Sequence, residues 1–149
     1  MVRVVAQRVR SASVTVRDEI VGSIGIGLML LVGVADGDDE PAIDRLADKV
    51  AFMRIFEDGD GKMNLSTADV KGAMLVISQF TLYGDMSKGR RPSFVQAAAQ
   101  VVAERLYEHF TTRLRSHGYE VACGRFGAHM LVRLENDGPV TLILDSATA

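Results

Sequence analysis

The sequence predicts a single α+β domain over residues 1–149, built mostly of antiparallel sheet. Two observations carry this. Apolar and polar residues alternate with period two towards both ends of the chain, and two internal stretches, near 40–55 and 92–117, repeat apolar residues at helical spacing. About seven or eight strand patterns and two helices result, segregated rather than alternating. A chain of 149 residues suffices for one proper core and is short for two.

Taken in order, residues 2–9 and 13–17 read as strands, with Val2, Val4 and Ala6 alternating against Arg3, Val5 and Gln7, and Val14 and Val16 against Thr15 and Arg17. Asp18-Glu19 turns the chain into Ile20-Val21. The run Ile24–Val34 continues as strand, and its glycines suggest a bulge or a close backbone approach. A phosphate loop at Gly25 and Gly27 is not supported, since the third glycine and the following helix are missing. Asp38 or Asp39 is the expected cap of a first helix, with Pro41 in its first turn and Ile43, Leu46, Val50 and Met53 on its apolar face. Glu57–Lys62 opens like a calcium loop, but its acidic residues miss the required positions, so a solvated turn is expected.

Ala73–Ile77 is a continuous apolar run, the pattern of a strand covered on both faces, ending in the polar Ser78, Gln79 and Thr81. Met86–Phe94 is a compact basic loop suited to phosphate contacts, with a merely solvated loop as the alternative. The second helix is expected from Pro92 to His117 and stops at Gly118; its apolar face carries Val95, Ala99, Val102, Leu106, Phe110 and Leu114. Glu120–Cys123 reads as a short strand and Asp145–Ala149 as a frayed end. Between them, Met130–Glu135 and Val140–Leu144 flank Asn136-Asp137-Gly138-Pro139. These residues read either as an ordinary hairpin turn or as a turn that aims bare carbonyls at a ligand.

Apolar residues make up 48% and charged residues 24%, which argues against both disorder and a membrane protein. With 17 Lys+Arg against 19 Asp+Glu, the net charge of -2 offers no whole-surface attraction to nucleic acid, so any RNA contact must be a local patch. The single cysteine, Cys123, excludes an internal disulfide and a multi-cysteine zinc site, and the cytoplasm is the expected compartment. Residues 1–8 lack the apolar core of a signal peptide, and Ile24–Val34 is too short to span a bilayer. His109, His117 and His129 are too scattered to suggest a metal site. Ser78 and Thr81 have no motif that would supply a base, so a triad hydrolase is not expected. What remains is an enzyme that positions a reactive substrate with main-chain groups, or a binding domain without chemistry.

Several stretches together closely resemble the D-aminoacyl-tRNA deacylases: Gln7-Arg8-Val9, Ala12–Val16, Leu46–Lys49, Arg54–Asp58, Lys62–Ser66, Ser78–Leu82, Lys88–Phe94 and Asn136–Thr141. The resemblance implies a barrel-like sandwich with two main helices packed outside. It implies a homodimer whose active sites lie at the subunit interface, where Ser78–Leu82 of one chain meets Asn136–Thr141 of the other, and a cis Gly138-Pro139 bond. The reaction implied is hydrolysis of the ester between a D-amino acid and the terminal ribose of tRNA, with no cofactor or metal. Ser78, Gln79, Phe80 and Thr81 are the expected catalytic stretch, with main-chain N–H groups near Phe80 and Thr81 stabilising the oxyanion. Asn136, Gly138, Pro139, Val140 and Thr141 would bind the amino acid, supported by Arg8, and Lys88, Arg90 and Arg91 would contact the CCA end. An L side chain would collide with the main-chain wall, whereas glycine would not, so glycyl-tRNA is an expected second substrate. Water attack assisted by the RNA 2′-hydroxyl is expected over Thr81 as nucleophile. His129 and Gly84 depart from the residues usual in the family. A catalytically silent RNA-binding domain and a general esterase are the competing readings.

Overall fold

The computed structural model describes residues 1–149. In chain order it contains β1 (Arg3–Val16), β2 (Glu19–Ile24), β3 (Gly27–Gly33), α1 (Glu40–Phe52), β4 (Phe56–Glu57), β5 (Met63–Leu65) and β6 (Ala73–Ser78). A 3-10 turn at Phe80–Tyr83, α2 (Gln100–Ser116), β7 (Val121–Cys123) and β8 (Leu131–Asp145) follow. The first two strand patterns merge into the 14-residue β1. A tight turn at Arg17 and Asp18, with φ of 49° and 65°, then reverses the chain and pairs Val16 with Glu19.

One edge of β1 is shared by β3, along Arg3–Val9, and β2, along Ala12–Val16, while β8 follows the other edge over almost its whole length. Gly27 begins β3, and a Cβ there would lie 1.8 Å from the Ala73 carbonyl oxygen of β6. The close backbone approach expected of these glycines is therefore real.

Antiparallel pairs predominate, as expected, but the expected segregation of helices from strands does not hold. β6 runs parallel to β3, and β7 parallel to β6. α1 lies in the connection from β3 to β6 and α2 in that from β6 to β7, so each helix belongs to a crossover between parallel neighbours. This placement explains the continuous apolar run at Met74–Ile77, whose four residues are all buried.

The larger core lies between the helices and the sheet, joining Ile43, Leu46 and Val50 of α1 and Leu106, Phe110 and Leu114 of α2 to Val4, Ala6, Leu28, Leu30, Met74 and Val76. A second, smaller core packs Val9, Ala12, Val14 and Ile24 against Met29, Leu75 and Ile77. Gly22 approaches the Cys123 backbone, where an added Cβ would lie 2.7 Å from the carbonyl oxygen, so β2 curls over towards β7 and the sheet is nearly closed. No helix is long and apolar enough to cross a membrane.

α1 starts where expected, with the Asp39 carboxylate accepting from the Ala42 amide at 3.0 Å. α2 starts later than expected. Pro92–Ala99 is irregular, held by bridges between Asp85 and Ser93 and between Ala35 and Ala97, and Val95 is 85% exposed. Its apolar residues satisfy helical spacing without a core to face. The C-terminus also differs from expectation: Ser146 is buried, and its amide and hydroxyl bond the Val2 carbonyl and amide at 3.0 and 3.1 Å.

The helices are joined by a ladder that sequence reading missed: Glu40 with Arg105, Asp44 with His109, and Asp48 with both Arg113 and His117. Both partners advance along the chain together, so α1 and α2 run parallel. The bidentate bond from Arg113, opposed by desolvation and aided by His117, lowers the Asp48 pKa from 3.8 to about 2. A depressed carboxylate stabilises the fold above its unfolded pKa, and that contribution is lost as pH falls through the folded value. The Tm difference between the native protein and Asp48→Asn is therefore expected to shrink as pH falls from 3.8 to about 2. At neutral pH it should be worth no more than about 1 kcal/mol, because the pair is partly exposed and screened. A pH-independent difference measured by thermal unfolding would assign the stabilisation elsewhere.

Candidate active site

The polar end of β6 forms one half of the candidate site. Ser78 pairs with Val32, and the Gln79 amide donates to the Val32 carbonyl at 2.8 Å before the chain enters the 3-10 turn. The first bond of that turn runs from the Leu82 amide to the Gln79 carbonyl at 3.3 Å, so the Phe80 and Thr81 amides precede it. They are the free donors that every helix start presents. The Gln79 side chain donates to the Thr81 hydroxyl.

The turn is pinned from behind. Gly33 of β3 leaves room for it, since a Cβ there would lie 3.1 Å from the Gln79 carbonyl oxygen. Arg3 donates to the Leu82 carbonyl at 3.2 Å, and the Tyr83 hydroxyl donates to the Gly33 and Met1 carbonyls. Burial pushes the Tyr83 hydroxyl far above its ordinary pKa, so it remains a donor.

Beside this corner opens a cavity of about 440 Å³. Val32, Val34, Ser78, Gln79, Phe80, Phe94, Tyr107 and Phe126 contribute to its lining, as do Gln100 and Gly127. Phe80 is 56% exposed and meets Phe94 edge to face, with ring centroids 5.0 Å apart. At Gly84, one of the two departures from the family pattern, a Cβ would lie 3.2 Å from the Phe94 ring and 3.1 Å from the Thr81 carbonyl oxygen, so glycine leaves both undisturbed.

The other half is not a hairpin turn. Both flanks of Asn136–Thr141 belong to β8, and both pair with β1: Val9 lies opposite Asn136 and Gln7 opposite Thr141. Two steps on β1 thus face five on β8, and the extra residues bulge out of one continuous strand. The sequence pattern of strand, turn and strand fits a bulge as well as a hairpin, and only pairing to a third segment distinguishes them. Within the bulge the Gly138-Pro139 peptide is cis and Gly138 has a φ of 127°. Asn136 staples the loop by accepting from the Val140 amide at 3.3 Å and donating to the Thr141 hydroxyl at 3.1 Å. Gly138 and Pro139 are exposed.

Arg8 lies beneath, only 5% exposed. Its Nε donates to the Asp137 carbonyl at 3.0 Å and its Nη1 to the Ile55 carbonyl at 2.8 Å, with Glu57 at 3.8 Å. The guanidinium fork ties the bulge to the segment after α1.

Within one chain the two halves do not meet. β1 and β3 lie between β8 and β6, and Arg8 pairs with Leu28 whereas Ser78 pairs with Val32, four residues further along β3. At about 4.8 Å per strand and 3.3 Å per residue the separation is on the order of 15–20 Å. Lys88, Arg90 and Arg91 are exposed on the loop that ends at Phe94.

A family model described as D-Tyr-tRNA(Tyr) deacylase matches residues 5–145. The chain belongs to the D-Tyr-tRNA(Tyr) deacylase family. It is 60% identical over 144 residues to a D-aminoacyl-tRNA deacylase of Brevibacillus brevis, covering 97% of this chain and 99% of that protein. A solved structure titled c-Myc DNA Unwinding Element Binding Protein superposes with a TM-score of 0.89 at 38% identity, covering 96% of this chain and 97% of that one. A structure titled as a probable eukaryotic D-amino acid tRNA deacylase shares the fold, with a TM-score of 0.84 at 23% identity, covering 97% of this chain and 98% of that one. The α+β, barrel-like architecture expected from the resemblance is thus the observed one. Within this deacylase-family chain, sequence reading missed Phe94, Tyr107 and Phe126 as cavity walls. Phe126 between Gly124 and Gly127 was the available signal, because an aromatic on a glycine-rich connection is free to turn into a cavity.

Proposed function

We propose that the protein is a cytoplasmic D-aminoacyl-tRNA deacylase, hydrolysing the ester between a D-amino acid and the terminal ribose of tRNA, with glycyl-tRNA as a second substrate. The observation that carries this reading is the pair of free amides at Phe80 and Thr81, at the mouth of an aromatic cavity. An ester carbonyl held there receives water at carbon. The resulting oxyanion is stabilised by the two amides, each worth about 3 kcal/mol when aligned, and collapse breaks the bond to the ribose oxygen. The departing oxygen takes a proton, leaving free amino acid and tRNA. The cavity suits the terminal adenine, whose flat face stacks on aromatic rings.

The reading includes a homodimer with composite sites, each joining Ser78–Thr81 of one chain to Asn136–Thr141 of the other. Support comes from the 15-residue β8, which pairs only with β1 and leaves its other edge open while exposing Leu131, Leu142 and Ile143. Long apolar edges of this kind are normally covered, and a second copy would cover this one isologously. The carbonyls of the bulge would then accept from the substrate ammonium. With ammonium and ester both held, the third substituent on Cα has one way out, and an L side chain strikes main chain.

Deacylation of matched D-tyrosyl-tRNA and L-tyrosyl-tRNA tests the reading. Loss of the D ester alone, undiminished by EDTA, is the expected result. Equal decay at the uncatalysed rate would point to an RNA-binding domain, and equal faster decay to a general esterase. Thr81→Ala should keep activity within about tenfold, since water and not the hydroxyl attacks. Near-complete loss with binding intact would make Thr81 the nucleophile.

A further inference from the structure

We propose that a basic cleft lined by Arg17, Arg125 and His129 holds phosphodiester groups of the RNA strand leading into the aromatic cavity. The inference rests on the aminoacyl-tRNA reading above and assigns to it a contact surface other than the Lys88–Arg91 loop.

Three separate segments converge on this cleft. Arg17 sits in the β1–β2 turn, Arg125 in the connection from β7 to β8, and His129 just before β8. Thr15 pairs with Leu131, which brings the next residues of both strands, up to Arg17 and His129, to the same end of the sheet. With Val16, Gly127 and Ala128 these residues enclose about 480 Å³, and no carboxylate is among them. All three cationic or titratable side chains are exposed, and the ion pairs of the chain all use other residues.

Arg8, Arg10, Arg105 and Arg113 are each paired with a carboxylate, whereas Arg17 and Arg125 are not. Two unpaired guanidiniums around a concavity in a chain of net charge -2 therefore form a local attraction for an anion. The cleft adjoins the aromatic cavity, with Gly127 in the walls of both. A nucleotide whose base occupied the aromatic cavity would have its phosphates within reach of that shared wall, and guanidinium groups suit phosphate oxygens bidentately. The Lys88–Arg91 loop reaches the same cavity only through Phe94, which follows it in sequence.

The test is fluorescence anisotropy of labelled, uncharged tRNA across a salt series, with native protein, Arg17→Gln/Arg125→Gln and Arg17→Glu/Arg125→Glu. The neutral pair is expected to weaken binding about 10- to 100-fold and to flatten the log–log salt slope by about one per lost contact, with the acidic pair weaker still. Unchanged affinity, or weaker binding at an unchanged slope, overturns the proposal. Hydrolysis of D-tyrosyl-tRNA and D-tyrosyl-adenosine is followed in parallel, and the KM increase should be much larger for the tRNA ester. Equal increases overturn the proposal too. If the native protein hydrolyses neither ester, the deacylase reading fails, while the anisotropy series still decides the cleft.

Discussion

Arg8→Ala is expected to lower stability by about 3 kcal/mol and to cut D-tyrosyl-tRNA hydrolysis at least about 100-fold. Arg8 is almost wholly buried and donates to two carbonyls, those of Asp137 and Ile55. Truncation leaves both acceptors without a partner, at about 1–3 kcal/mol for each one that stays dry. It also removes the side-chain stem from the space beside the Phe56 ring, 6.0 Å from the guanidinium carbon. The Glu57 contact adds little, because that carboxylate is 58% exposed and 3.8 Å away. For a chain of this size the loss corresponds to a fall in Tm of roughly 6–12 °C.

The activity loss follows from the other end of the fork. The Asp137 carbonyl precedes Gly138, so its anchor sets where the bulge points, and a displacement of about 1 Å at a positioning group is enough for a 100-fold effect. Arg8→Lys separates charge from geometry. A lysine ammonium lacks the fork that reaches two carbonyls in different directions, so an intermediate Tm and a rate still well below native are expected. Native Tm and native rate in Arg8→Ala would remove Arg8 from any supporting role.

Isolated hybrid dimers of two defective chains should recover about half of native activity. Gly138→Ala disturbs the bulge, because the native φ of 127° disfavours an L side chain and the new Cβ would lie 2.8 Å from Val140 Cγ2 and 3.0 Å from Arg8 Nη2. Gln79→Ala removes part of the cavity wall beside Ser78 and Phe80. Each variant alone is expected to fall at least about tenfold. If each site draws its two halves from different chains, a hybrid contains one site with both halves intact and one with both defective. Random assortment makes about half the dimers hybrids, so the unsorted mixture should recover about a quarter. Co-expression with two affinity tags isolates them for assay. Activity no higher than the mean of the parents would mean that each site is built within one chain.

Both helices, a cap at Asp38 or Asp39 and the buried strand within Ala73–Ile77 were legible because each rests on local periodicity or on a single cap. The Ser78–Thr81 and Asn136–Thr141 stretches were singled out as candidates by the family resemblance. Taken alone, polar residues closing an apolar strand and a Gly-Pro pair between two strands suit an ordinary strand end and an ordinary turn as well. The parallel pairing of β6 was not legible, since strand direction depends on the route of α1 and α2. Nor was the late start of α2, because Val95 has helical spacing but no core to face.

The sequence by itself determined that the chain holds two helices and which stretches are mainly strand, and its motifs pointed to the family and so to the two candidate site stretches, because these are properties of neighbouring residues. Only the tertiary structure decided that Asn136–Thr141 is a bulge in one strand, that Arg8 supports it from 129 residues away, and that aromatic and basic cavities share Gly127. The same local pattern suits a hairpin or a bulge, and a buried arginine reads like an exposed one. What separates them is which distant backbone arrives to pair with the strand or accept the hydrogen bond, and that is settled by packing across the whole sheet.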